Sequence, residues 1–261
     1  MTDLLNFQSY GEGERAVIVC HGLYGQLSNL APIARELASD YRVIAVDMRN
    51  HGRSFHSDEM NYPVMAQDIL GVMNHLGIER AALVGHSMGG KAVMEAALIA
   101  PDRVQALIVA DIAPVSYEPH HDAIFAALSA ADDPAIDRAG AKQILEAAID
   151  DDAVIGFLLM NRIRQEDGTW RWRFNLSALV NNYSRILGAP QTAGSYDGPT
   201  LFIKGELSTY ILPAHEDSTR SLFPNARVRV IAGTGHWLHA EKPAVFLRLV
   251  RDALRDAMPE A

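Results

Sequence analysis

The stretch Leu83-Val84-Gly85-His86-Ser87-Met88-Gly89-Gly90 decides how this 261-residue chain is read. Before it runs the apolar segment Arg80-Ala81-Ala82-Leu83-Val84. After it comes Lys91-Ala92-Val93-Met94-Glu95-Ala96-Ala97-Leu98, which has a helical pattern. A serine framed as G-x-S-x-G between a buried strand and a helix sits on a turn so tight that its backbone is expected to be strained. Gly85 and Gly89 flank it because a Cβ at either position is expected to collide across the turn. The turn lifts the Ser87 hydroxyl above the strand ends, at the N-terminus of the next helix. The helix dipole there favours an attacking alkoxide and a developing oxyanion. The alternative is an ordinary glycine-rich strand-to-helix turn with an inert serine.

Outward from this turn, short apolar runs alternate with helical patterns. Candidate strands cover 16–20, 42–46, 81–85, 104–110, 200–204 and 227–231. Candidate helices cover 27–39, 63–76, 88–100, 213–223 and 242–257. Near-continuous apolar strands are what burial on both faces produces. Ser28 is a candidate N-cap for the first helix, Gly77 a terminator of the second and Pro101 a terminator of the third. The alternation predicts an α/β fold with a mostly parallel sheet flanked by helices, and a site at the carboxyl ends of its strands. One interval breaks the rhythm: between Ala113 and Pro199 the chain runs far beyond the usual loop of about 2–6 residues. Helical patterns at 122–130, 139–149, 153–164 and 176–187 predict a helical cap over residues 115–197. The core is then 1–114 with 198–261, and the cap can act as a lid that excludes water. A decorative insertion or a dimer surface is the other reading.

Composition excludes several classes. A formal net charge of -9 argues against a nucleic-acid or anionic-membrane partner, and 49% hydrophobic residues argue against disorder. Cys20 is the only cysteine, so no intramolecular disulfide forms; it lies in an apolar run and reads as a buried thiol. The N-terminus lacks a signal-peptide pattern, and no apolar run approaches the roughly 20 residues that span a bilayer. A cytoplasmic monomer or homodimer is expected.

Ser87 needs a base, because a serine hydroxyl is a poor nucleophile at neutral pH. The candidate is His236, in the glycine-rich loop Gly233-Thr234-Gly235-His236-Trp237 after the last strand. A serine–acid–histidine order along the chain requires a late histidine. The acid is less obvious. A frequent place for it is G-x-x-D after the strand at 200–204, but here that stretch reads Gly205-Glu206-Leu207-Ser208. The strand at 104–110 ends in Asp111, which can approach the same imidazole from the neighbouring strand. Asp111 is the favoured acid and Glu206 the alternative; Asp111 as a turn cap is the plain reading. Ser208 is then a supporting hydrogen-bond partner of Asp111 or His236. For an oxyanion, Met88 supplies one backbone N–H and Leu23, in His21-Gly22-Leu23-Tyr24-Gly25, the other. His21 and His51 read as buried or loop-bracing histidines. Tyr24, Tyr210 and Trp237 are candidate substrate-lining residues, or core beneath the cap.

Ten histidines invite a metal reading, but His120-His121 and His236-x-x-His239 lack partners at zinc-site spacing, so no metal is assigned. No nucleotide-binding glycine motif occurs, so no cofactor is expected. Arg162, Arg164, Arg171 and Arg173, near Trp170 and Trp172, are either solvated cations paired with acids of the cap or receivers of a phosphate-bearing substrate such as an acyl-CoA.

Four strings together resemble the α/β-hydrolase superfamily over nearly the whole chain: Val46 to Gly52, Gly85 to Met94, Asp111-Ile112-Ala113-Pro114, and Gly235 to Pro243. The likeness is strongest to bacterial esterases and their mitochondrial relatives. It implies an α/β-hydrolase fold with a helical cap, and hydrolysis of short-chain esters or acyl thioesters. It also implies the acid at Asp111 and a helper serine at Ser208. The same fold and triad also support C–C bond hydrolases and perhydrolases, and a non-catalytic ligand-binding member is a third class. Ser87 excludes the aspartate-nucleophile mechanism of dehalogenases.

Overall fold

The apolar runs do become strands of one sheet, buried along most of it, but the expected strand at 227–231 is an edge strand exposed over 227–230. In the computed structural model, which describes residues 3–259, a seven-stranded sheet has the order β1-β3-β2-β4-β5-β8-β9. Its strands are β1 (Phe7–Tyr10), β2 (Ala16–Cys20), β3 (Arg42–Val46), β4 (Ala81–His86), β5 (Val104–Ala110), β8 (Thr200–Gly205) and β9 (Ala226–Ile231). All neighbours pair in parallel except β1, an antiparallel edge strand on β3. β1 is not among the strands expected from sequence, because FQSY is half exposed and carries no apolar run. β2 and β4 are buried at every position, which explains their unbroken apolar character.

Helices cover both faces. They are α1 (Leu27–Leu37), α2 (Tyr62–His75), α3 (Met88–Ile99), α9 (Glu216–Leu222), α10 (Leu238–Glu241) and α11 (Pro243–Ala257). Ser28 does not cap α1; the cap is Gln26 and Ser28 lies inside the helix. The reason is tertiary. The Asp47 carboxylate accepts from the Leu27 N–H at 2.7 Å, and the Asn29 side chain accepts from the Gln26 N–H at 2.7 Å. Those bonds start the helix before Ser28 is reached. Gly77, with φ +65°, follows the end of α2 in the left-handed conformation expected of it. The pattern at 213–223 divides into a 3₁₀ turn at Pro213–His215 followed by α9, whereas that at 242–257 forms α11, with the short α10 just before it.

Between β5 and β8 lie α4 (Asp122–Ala130), α5 (Arg138–Glu146), α6 (Asp152–Leu159), α7 (Leu176–Asn181) and α8 (Tyr183–Leu187). Two expectations need correction here. The helix expected over 153–164 stops at Leu159, and β6 (Arg162–Arg164) pairs antiparallel with β7 (Trp170–Trp172). Arg162 explains the switch. Its guanidinium is buried, donates to the carbonyls of Asp133 and Ile136, and lies 5.1 Å from the centre of the Trp172 ring. The helix expected over 176–187 breaks at Asn182, whose side chain donates to the Ala178 and Asp58 carbonyls. A side chain that bonds its own backbone and a loop of the core ends one helix and begins the next.

Candidate active site

The turn after β4 is as tight as its glycines suggest. Ser87 has φ 53° and ψ -120°. A Cβ on Gly85 would lie 2.3 Å from the Gly89 carbonyl oxygen, and one on Gly89 would lie 2.4 Å from that of His21. Holding a non-glycine residue there costs about 1–3 kcal/mol. The Ser87 N–H donates to Ala110 at 3.0 Å, which ties the turn to the end of β5.

Asp111 follows β5 in a second left-handed turn, φ 53°. The carboxylate is fully buried and saturated with donors. Oδ1 accepts from the Gly205 N–H at 3.0 Å. Oδ2 accepts a short hydrogen bond from the Ser208 hydroxyl and lies 2.8 Å from His236 Nδ1. His236 Nε2 in turn lies 3.0 Å from Ser87 Oγ. Because Asp111 accepts a hydrogen bond from Nδ1–H, the imidazole presents the Nε2 lone pair to the serine hydroxyl. Glu206 is elsewhere: its carboxylate accepts from the Gly233 N–H at 2.7 Å. Geometry therefore puts Asp111, not Glu206, on His236.

The loop after β2 packs against the serine. A Cβ on Gly22 would lie 3.1 Å from Ser87 Cβ. Gly25 N–H donates to Gly22 at 3.0 Å and closes the turn that carries Leu23. Among the described residues neither the Leu23 nor the Met88 N–H has a hydrogen-bond partner. Two buried histidines brace this loop. His21 donates from Nδ1 to the Gly22 carbonyl at 2.8 Å and accepts from the Met48 N–H at 3.0 Å. His51 donates to the Arg49 carbonyl at 2.9 Å and accepts from the Tyr24 N–H at 3.1 Å. Burial, with His21 beside it, pulls the His51 pKa down to about 3. Each ring is thus neutral, with one nitrogen donating and the other accepting.

A cavity of about 210 Å³ opens at Ser87 and His236, and Tyr24, Tyr210 and Trp237 all line it. Tyr210 stacks on the His236 ring, with centroids 4.2 Å apart. A smaller space of about 40 Å³ lies on the Met88 and Ile112 side. The sequence reading missed the inserted segment's share of these walls. His121, Ile124, Val154 and Phe157 line the larger cavity, and His120 Nε2 lies 2.7 Å from the Tyr210 hydroxyl. It also missed His86, while His239, expected close to His236 at the rim of the site, does line this cavity. His86 Nε2–H donates to the His236 carbonyl at 2.9 Å, and its ring is 4.4 Å from that of His239. Adjacency of His86 to Ser87 was the available signal. Burial lowers His121 and His239 to about 4 and His86 well below its usual value, so these rings act as neutral dipoles. None of Arg162, Arg164, Arg171 and Arg173 lines either space at Ser87. Arg162 is structural, and Arg173 donates to the Gln26 side chain at 3.2 Å.

The chain's similarities run to ester-cleaving proteins. A family model described as the alpha/beta hydrolase fold matches residues 15–243. "Esterase YbfF" of Escherichia coli (strain K12) is 43% identical over 242 residues, covering 92% of this chain and 93% of that protein. The mouse protein named "sn-1-specific diacylglycerol lipase ABHD11" is 38% identical over 248 residues, covering 92% and 80%. A solved structure titled "Marine microorganism esterase" superposes with a TM-score of 0.93 at 38% identity, covering 97% of this chain and 100% of that one.

Proposed function

This chain belongs to the α/β hydrolase family, and from that premise we propose that it is a serine carboxylesterase, acting on short-chain esters or acyl thioesters through an acyl-enzyme. The observation that carries the reading is the unbroken chain from Ser87 Oγ through His236 to Asp111, at 3.0 and 2.8 Å.

In this reading Ser87 Oγ attacks the acyl carbonyl carbon while His236 Nε2 takes its proton. The negative charge that develops on the carbonyl oxygen is met by the N–H groups of Leu23 and Met88, which are not engaged elsewhere. Collapse of the tetrahedral intermediate breaks the bond to the leaving alcohol or thiol, which receives its proton from His236. Water then attacks the acyl-enzyme by the same steps in reverse, freeing the acid and Ser87. Asp111 keeps the imidazole in the productive tautomer and faces the imidazolium as it forms, and the Ser208 hydroxyl holds the Asp111 carboxylate in place. The space of about 40 Å³ beside Met88 and Ile112 suits a short acyl chain. Residues 115–197 act as the cap: their side chains close the larger cavity against water.

The test is hydrolysis of p-nitrophenyl esters from acetate to palmitate by the wild type and by Ser87→Ala. Turnover that falls with chain length and vanishes in the variant supports the proposal. Turnover that survives in Ser87→Ala overturns it; no turnover on any ester redirects the search to thioesters and carbon–carbon bonds.

A further inference from the structure

Two oppositely charged side chains are buried on α3, one and two turns beyond Ser87. Lys91 is 1% exposed and Glu95 is 0% exposed, yet no ion pair joins them among the described residues. Each is spent on backbone of the inserted segment. The Lys91 ammonium donates to the carbonyls of Val115 at 2.7 Å, Leu187 at 2.9 Å and Gly188 at 2.5 Å. Its nitrogen also lies 4.5 Å from the Tyr117 ring centre and 5.6 Å from that of Tyr62. The Glu95 carboxylate accepts from the N–H groups of Gln191 at 2.6 Å and Thr192 at 2.9 Å, and from the Thr192 hydroxyl at 2.5 Å. Val115 lies where the segment leaves β5, and 187–192 lies where it returns towards β8. Tyr117 N–H donates to Leu187 at 3.0 Å, so the two roots also bond each other.

We propose that Lys91 and Glu95 are positioning residues that clamp both roots of the inserted segment to the helix that begins at Ser87, and so fix the segment's walls relative to the nucleophile. The clamp matches donors to acceptors by sign. Three N–H groups of an ammonium meet three carbonyls, and carboxylate oxygens meet N–H and O–H groups only. Burial pulls the Lys91 pKa down to about 7, because taking the ammonium from water disfavours its charged form. That cost is sustained because the carbonyls and two ring faces replace the water. A lysine whose only task was to fill space would be replaced by methionine at no such cost. The roots carry Tyr117, Ile186 and Leu187 into the small space beside Ser87, so a slip of the clamp moves the wall proposed to receive the acyl chain.

The experiment is amide hydrogen exchange on the wild type, Lys91→Met and Glu95→Gln, with kinetics on acetate and longer esters. In Lys91→Met, exchange is expected to rise at least about tenfold at 115–118 and 186–189 while β2, β4 and β5 keep their protection. Glu95→Gln is expected to act on 190–193. KM for the longer esters is expected to rise about tenfold, with a smaller change in kcat. Unchanged exchange at the roots overturns the proposal, as does an equal fall of kcat on every ester with KM fixed. If Lys91→Met does not fold, the Glu95→Gln exchange pattern decides. The kinetic arm rests on the esterase reading, whereas exchange does not. A wild type inactive on every ester with loosened roots in the variants sinks that reading and leaves the clamp.

Discussion

The strand-end loops and the inserted segment converge on one cavity but are held by different means. At the strand ends, four non-glycine residues adopt positive φ: Tyr24, Asn50, Ser87 and Asp111. Each is locked by hydrogen bonds to neighbouring strands or loops; Ser87 is bonded to Ala110 and Asp111 to Ile203. The inserted segment has helices of only five to nine residues and a two-stranded ribbon. Pieces that short are not stable alone. They are held by side chains that reach across: Arg162 to Asp133 and Ile136, Asn161 to the Tyr24 carbonyl at 2.8 Å, and the Trp172 indole to Leu128 at 3.0 Å. The difference teaches where precision is kept. Backbone strain held against a rigid sheet places Ser87 and Asp111, while side-chain ties place the cavity wall that the inserted segment supplies.

That contrast can be broken by substitution. The largest effects belong to the strand ends. Ser87→Ala or His236→Ala is expected to lower kcat by about 10⁶-fold, measured on p-nitrophenyl acetate. Asp111→Asn follows at roughly 10⁴ or less, because an amide can stabilise the wrong imidazole tautomer; Glu206→Gln should stay within about twofold. Equal losses in these two would return the acid role to dispute. Ser208→Ala removes one charge-assisted bond to Asp111, worth about 1.5–3 kcal/mol, and a loss of about tenfold in kcat is expected. In the inserted segment, Phe157→Ala should change the ratio of kcat/KM between long and short esters by about tenfold. A uniform fall across chain lengths would mean that the wall is not separable from the chemistry.

A smaller test uses acid. His51 braces the core loop and His121 lines the cavity from the inserted segment; burial lowers them to about 3 and about 4. Both rings stay neutral while folded and bind a proton once released, so the unfolded state gains protons as pH falls below about 6.5. Stability is therefore full above that value and drains away on acidification. His121 is expected to contribute its loss down to about pH 4 and His51 further, to about pH 3. Thermal unfolding of the wild type against His121→Phe between pH 7 and 4 checks this, and parallel curves would remove His121 from the account.

The core was legible because its signals are local. Apolar runs bounded by turns located every parallel strand. The glycines around Ser87 and the loop before Trp237 fixed two members of the hydrogen-bonded chain, and Asp111 was legible as the residue that ends β5. β1 escaped because an edge strand needs no apolar run, and Ser28 misled because the Asp47 carboxylate caps α1 from across the loop. His86, His120 and His121 were visible as residues but not as neighbours of His236. Only His239, three residues from His236, stood near it by spacing; nothing in the spacing of 86, 120 and 121 brings them to the spaces at Ser87.

Sequence alone determined the alternation of strands and helices, the strained serine turn and the order serine, acid, histidine along the chain. Each of these is set by interactions within a few residues or by burial on both faces of a strand. Only the tertiary structure decided that Asp111 rather than Glu206 meets His236, that Arg162 ends a helix instead of binding an anion, and that Lys91 and Glu95 grip the roots of the insertion. Those outcomes depend on which hydrogen-bond partners lie within about 3 Å. Chain positions separated by 24 to 125 residues become such partners only when the sheet has brought them together.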